Sequence, residues 1–311
     1  MKHFSIAPRW ACSFFFAVCG ITYGSIMSRM PALKLQTGMS DEDVGIVLLC
    51  MGIGALLSFP AAGWAIARAG CRKMLISVSG LLLILFPFMG GMASFGSACI
   101  LFSLLGFGIG LNDVGINTAS IIVESAMRKP VVSSMHALYS LGGLLGALFG
   151  SCMAALEVHP LHNFTAAASV MLAAWPMFSR HLMQDPPSRL QKRRHSVPVP
   201  PAWLLLTGVL LLCSYSTEGS VGEWGVLLLH EVKGAPQETA ALVYAAFSIS
   251  MTVMRFFGDR LRERLGDRML MRLGSAMALA GISSGIFVSI VTGSTPLAGE
   301  PFGLCNQMTS K

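Results

Sequence analysis

Charge is what this sequence has least of. Only 12% of its 311 residues are Asp, Glu, Lys or Arg and 54% are hydrophobic, whereas a soluble domain carries about 25% charged residues. That excludes a water-soluble globular protein and leaves an integral membrane one. Strict apolar–polar alternation over short segments is missing as well, which excludes a membrane barrel and leaves helices. The eight cysteines form no C-x-x-C pair and mostly sit inside apolar runs, so they read as small packing residues and not as a disulfide framework or a metal site. His159 and His162 flank Pro160-Leu161 on a short loop, too little for a metal centre. No A-x-A pattern follows the first apolar run, so Trp10 to Met27 is a membrane helix and not a cleaved leader. The net charge of +7 is scattered among short loops, which excludes a nucleic-acid-binding patch. A second aspartate at membrane depth is also lacking: Asp41, Asp43, Asp185, Asp259 and Asp267 fall in loops or at helix ends, and an intramembrane aspartyl protease needs two.

What is present is a series of apolar runs long enough to cross a bilayer. Nine spans are expected: Trp10 to Met27, Val44 to Ala67, Met74 to Ala93, a run beginning near Ala98 and ending at Glu124, Ser133 to Leu156, Asn163 to Phe178, Trp203 to Leu229, Thr239 to Phe257 and Met269 to Val291. Ser40 with Asp43 three residues later marks the start of the second. Residues 180–202 combine Arg189, Lys192, Arg193 and Arg194 with five prolines and read as a basic linker. It separates a six-helix bundle, residues 1–179, from a three-helix portion, residues 203–292, and a polar tail, residues 293–311.

The fourth span carries the chemistry. Gly106, Gly110, Asp113, Asn117, Ser120 and Glu124 recur at three- and four-residue steps and so share a helical stripe. A charged group near mid-membrane costs about 2.5–3.5 kcal/mol on insertion scales, so it belongs by default to a solute or proton path. Asp113 is the first candidate, and Glu218 near the middle of the seventh span is the second. The bland alternative is a packing stripe with a neutral, hydrogen-bonded acid. Glu124 reads as a solvated acid at the membrane edge. On the fifth span, Gly142, Gly146 and Gly150 suit close helix packing, while His136 and Tyr139 suit either a cavity or local hydrogen bonding. Asn112 and Asn117 are cavity candidates too, and Trp224 is either a ring for stacking or an interface anchor.

Two further patterns concern the whole chain. All lysines and arginines except Arg29, Lys34, Lys233 and Lys311 fall on loops that a cytoplasmic amino terminus would place inside, so that orientation is expected. The turn Arg68-x-Gly70-x-Arg72 recurs as Arg264-x-Gly266-x-Arg268, each just past an apolar run. Such a repeat implies two related halves.

The six-helix half, the basic linker and these turns, with Gly63 ahead of the first, resemble the major facilitator superfamily of secondary transporters. G-x-N-D-x-x-x-N in span four and M-H-x-x-Y-S-x-G-G into span five are similar to its fucose-permease-like branch of sugar and proton symporters, as are Glu218-Gly219 and Glu223-Trp224 to bacterial permeases of that branch. The resemblance spans about residues 10–292. It implies an all-α bundle in the bacterial inner membrane, no cofactor, no enzymatic activity, and partners limited to a small polar solute, protons and lipid. By it, Asp113 exchanges the proton with Glu218 as second carrier, and Asn112, Asn117, His136, Tyr139 and Trp224 line the solute site. Two departures stand out: Ala67 replaces the usual acid of the first basic turn, and no acid lies between Trp10 and Met27. The family's twelve helices against nine here also suggest a chain shortened at its carboxyl end, with an inert remnant as the alternative to an active transporter. The absence of a G-P pair in the fifth span argues against drug efflux.

Overall fold

In the computed structural model, residues 7–128, 131–185 and 202–292 are described, so the linker residues 186–201 and the tail from residue 293 lie outside the described residues. Among the described residues every regular element is a helix. The chain resolves into two units, residues 1–256 and 257–311.

The first unit begins with α1 (Ala7–Ser28), followed at once by the short α2 (Met30–Thr37). Helix α3 (Asp41–Ala69) starts where the sequence places a cap: Ser40 accepts from the Asp43 amide, and the Asp43 carboxylate accepts from the Ser40 amide. This reciprocal pairing satisfies donors that a helix start leaves open. Then come α4 (Cys71–Gly90), α5 (Phe95–Met127), α6 (Val132–Ala155) and α7 (Pro160–His181). Helix α8 (Ala202–Leu227) passes into one π-helical turn, Leu228–Val232, before α9 (Gln237–Thr292).

Among the described residues, six helices have segments long and apolar enough to cross a membrane: Pro8–Ser28, Asp41–Ala69, Cys71–Gly90, Phe95–Met127, Val132–Ala155 and Gln237–Phe257. Nine were expected. Helix α7 has the length, 22 residues, but His162, Asn163, Thr165, Ser169, Ser179 and Arg180 dilute its apolar character. The expected ninth span is the part of α9 beyond Gly266, where the backbone leaves helical geometry.

Large apolar side chains turn outward along the helices, among them Leu56, Trp64, Leu81, Ile100 and Val170, as a lipid-facing surface requires. Inside, packing rests on glycine. Helices α1 and α6 lie so close that a Cβ on Gly142 would stand 2.4 Å from the Ala17 carbonyl oxygen, and one on Gly146 2.4 Å from that of Ile21. Helices α3 and α5 approach as closely: a Cβ on Gly54 would stand 2.2 Å from the Ser103 oxygen. Without hydrophobic drive between helices in lipid, this close backbone approach is the main source of association. Cys12, Cys19 and Cys71 are buried between helices, whereas Cys152 is exposed.

Candidate functional site: a polar seam between helices

The expected stripe on α5 divides in two. Gly106 and Gly110 face α3, where an added Cβ would strike the Met51 carbonyl and the Ser58 hydroxyl. Asp113, by contrast, is exposed although it sits midway along a membrane-length helix. Helical spacing brings Asn117 one turn along, and its Nδ2 donates to the Asp113 carboxylate (3.1 Å) and to the Asp113 carbonyl (2.9 Å). Asn117 Oδ1 in turn meets His136 Nε2 of α6 at 3.0 Å. With Asn117 oriented so that its amide nitrogen donates to Asp113, its oxygen accepts, which assigns the proton to His136 Nε2. Phe16 of α1 packs against the imidazole with ring centroids 4.7 Å apart. Asp113, Asn117 and His136 thus form a continuous polar chain from α5 to α6.

Asn112 stands apart from this chain. It is buried, and its Nδ2 lies 2.7 Å from Cys19 Sγ on α1, because one residue step turns a helix by about 100°. Glu124 also differs from expectation. Its Oε2 accepts from the amides of Val131 (2.8 Å) and Val132 (3.1 Å), so it caps the start of α6 instead of ending in solvent.

A second polar group joins α6, α8 and α9. Glu218 Oε1 lies 3.6 Å from an Arg255 guanidinium nitrogen. Arg255 also donates to the Ser140 hydroxyl at 3.0 Å, and its carbonyl accepts from Ser133 Oγ at 3.2 Å. Ser140 is one turn from His136, and His136 is within electrostatic reach of Arg255. Half-buried Tyr139, on the same helix, is within reach of Asp113, Glu218 and Tyr244. Toward the other end of α1, Tyr23 donates to Glu223 Oε1 at 2.9 Å, with the Tyr244 ring 6.0 Å away. Trp224 faces α3, 3.8 Å from a Cβ placed on Gly45.

Sequence reasoning missed Arg255, Tyr23 and Tyr244. Arg255 stands near the end of an apolar run and reads as a loop cation. The signal that finds it is the unmatched carboxylate of Glu218 in a helix with no cation of its own.

The two basic turns carry a shared backbone feature. Gly70 (φ 86°, ψ 156°) and Gly266 (φ 73°, ψ 160°) hold the same conformation, which residues with a side chain rarely adopt. At the first turn the Asp185 carboxylate lies over Gly70, and the Arg72 amide donates to it at 3.3 Å. Arg72 Nη2 bonds the carbonyls of Ser179 and Arg180 at 3.3 and 3.4 Å, and Arg68 covers the Trp64 ring at 4.6 Å. Gly63 has open space around it. Arg264 and Arg268 flank Gly266 as exposed residues.

The described residues thus form an all-helical bundle of membrane-length helices with polar side chains paired between them. The chain belongs to the Major Facilitator Superfamily, whose family model matches residues 11–305. An uncharacterized MFS-type transporter of Yersinia pestis is 29% identical over 270 residues, which is 86% of this chain and 69% of that protein. An uncharacterized transporter of Sinorhizobium fredii is 31% identical over 299 residues, 93% of this chain and 76% of that one. Among solved structures, the nucleoside transporter NupG superposes with a TM-score of 0.60 at 14% identity, over 84% of this chain and 69% of its own; that likeness concerns the fold.

Proposed function

We propose that this protein moves a small polar solute, with a sugar as the leading class, across the bacterial inner membrane by alternating access, coupled to protons, as a member of the fucose-permease-like branch. The single observation that carries this reading is the exposed Asp113 carboxylate, midway along α5, bonded to Asn117 and through it to His136. Among the described residues its side-chain hydrogen bond is to the neutral amide of Asn117, so protonation breaks no ion pair there. Glu218 differs, because the Arg255 guanidinium lies beside it at 3.6 Å. Asp113 is therefore the proton carrier, and Glu218 with Arg255 is the fixed charge pair beside it. His136, Asn117 and Tyr139 bind the solute. The amino terminus is cytoplasmic, and the carrier works with solute, proton and lipid as its partners, without a cofactor.

The test is Asp113→Asn in reconstituted vesicles, scored with a panel of sugars and nucleosides. The amide keeps the shape and hydrogen bonds but cannot titrate. Uphill accumulation driven by an imposed pH gradient is lost, while exchange down the solute's own gradient persists. Accumulation by the variant at the wild-type level would make Asp113 a structural residue.

A further inference from the structure

At the end of α1 a groove of about 570 Å³ opens between the α1–α2 junction, the turn joining α6 to α7, and the π-helical turn. Arg29 lines it and is 3% exposed. One of its terminal nitrogens donates to the Val158 carbonyl at 2.6 Å. Nε and Nη1 are buried and meet no acceptor, and neither does the buried Nε2 of Gln237 on the opposite wall. Burial pulls the Arg29 guanidinium below the usual arginine range, but that range starts so high that it stays a cation in any physiological medium.

Buried donors around a buried cation call for an acceptor that brings negative charge. His159 and His230 line the same groove; His159 Nδ1 accepts from the Leu161 amide, which leaves its Nε2–H as a donor, whereas His230 Nδ1 donates to the Ala235 carbonyl, which leaves Nε2 of the neutral ring an acceptor. Among the lining residues Glu157 is the sole carboxylate, and it is exposed. Gln36 also lines the groove, its Nε2 donating to the Gly90 carbonyl at 3.1 Å and its buried Oε1 meeting no donor; Pro31, Ala32, Pro160 and Leu35, the last 86% exposed, make up an apolar rim. A polar floor beneath an apolar rim, at the end of a membrane-length helix, matches the level of lipid headgroups.

We propose that this groove binds a phosphate oxyanion, with Arg29 as its principal ligand and Gln237 as a second donor. The phosphate belongs either to the headgroup of a surrounding phospholipid, whose chain lies along Leu35, or to a free phosphate ion. Guanidinium and phosphate oxygens form strong charge-assisted hydrogen bonds, and the site stands apart from the seam around Asp113, so it does not depend on the transport reading.

The test uses the full chain purified in neutral detergent, with phosphatidylglycerol and inorganic phosphate as separate probes and binding read by native mass spectrometry. Wild type retains phosphatidylglycerol, and Arg29→Gln weakens retention at least tenfold. Ala32→Phe, which fills the mouth and leaves Arg29 in place, weakens it similarly and serves if the arginine variant fails to fold. Competition by millimolar inorganic phosphate identifies the free ion as the source; retention despite it identifies the lipid. Equal retention by wild type and by the folded variants, or no binding of either probe to wild type, overturns the proposal.

Discussion

Asp113 and Asn117 were legible in the sequence because a four-residue step on a helix leaves little freedom in where two side chains fall. Their neighbour Asn112 was not, since a single step turns it about 100° away, against Cys19. Arg255 escaped for another reason: a cation near the end of an apolar run is indistinguishable from a loop residue until a partner on a different helix is seen. The pair it makes with Glu218 yields a measurable expectation. Arg255→Gln leaves an unpaired carboxylate between helices and lowers purified yield and thermal stability, while the double variant with Glu218→Gln recovers much of the loss. Removing both partners of an ion pair costs less than removing one, so a double-mutant cycle on melting temperature shows coupling. Strict additivity would mean that the two groups do not interact.

For whole elements, the glycine contacts make sharper predictions than the charges do. The sequence shows that Gly142, Gly146 and Gly150 share a stripe; the structure adds that the α1 backbone fills it at Gly142 and Gly146 and the Ser28 side chain at Gly150. Gly146→Val must force a Cβ into the Ile21 carbonyl, and overpacking of this kind costs about 1–3 kcal/mol. Gly52 has nothing within 4 Å of an added Cβ, so Gly52→Ala is neutral or mildly stabilising through helix propensity. Thermal melts of the two in the same detergent separate them, and equal effects would remove the close approach of α1 and α6 from consideration. The link between α2 and the π-helical turn is testable too. Burial lowers the Lys34 ammonium, but hydrogen bonds and charge from Asp41 and Glu231 outweigh it and leave its pKa above the ordinary 10.5. A raised value means that the stabilisation is complete below 10.5 and disappears as pH rises through the folded-state value. Lys34→Met therefore lowers the melting temperature by about 2–4 °C at neutral pH, and the difference from wild type closes only in strong alkali. Which carboxylates Lys34 meets was not readable from sequence, because Glu231 lies far along the chain.

The whole molecule was the most legible level, since scarce charge, repeated apolar runs and the recurring glycine turn each constrain the class before any side chain is placed. The number of spans was less so: α7 has span length with a diluted apolar character, and the boundary between the eighth and ninth expected spans depends on the break at Gly266. Orientation is the prediction that belongs here. Glu157→Cys lies on the turn between α6 and α7, and Gln184→Cys just past α7; both positions are exposed. With a cytoplasmic amino terminus, a membrane-impermeant maleimide labels the first in intact cells above the background of the parent chain, and the second only after permeabilisation. The opposite pattern would invert the molecule in the bilayer.

The glycine-locked pairs bear on how the bundle transmits force. Helix α1 is keyed to α6, and α3 to α5, by backbone contacts that leave no room for sliding, whereas α5 and α6 touch only sparsely. His136 rides on one stiff pair and Asn117 on the other, and their 3.0 Å bond is one of a few polar links between the pairs, beside Asn112 to Cys19 and Glu124 to the start of α6. A slip of one helical rise, about 1.5 Å, exceeds what that bond tolerates. Any such shift of one pair past the other would break the Asn117–His136 bond together with the Asn112–Cys19 contact, so the polar seam has to open whenever the two pairs move apart.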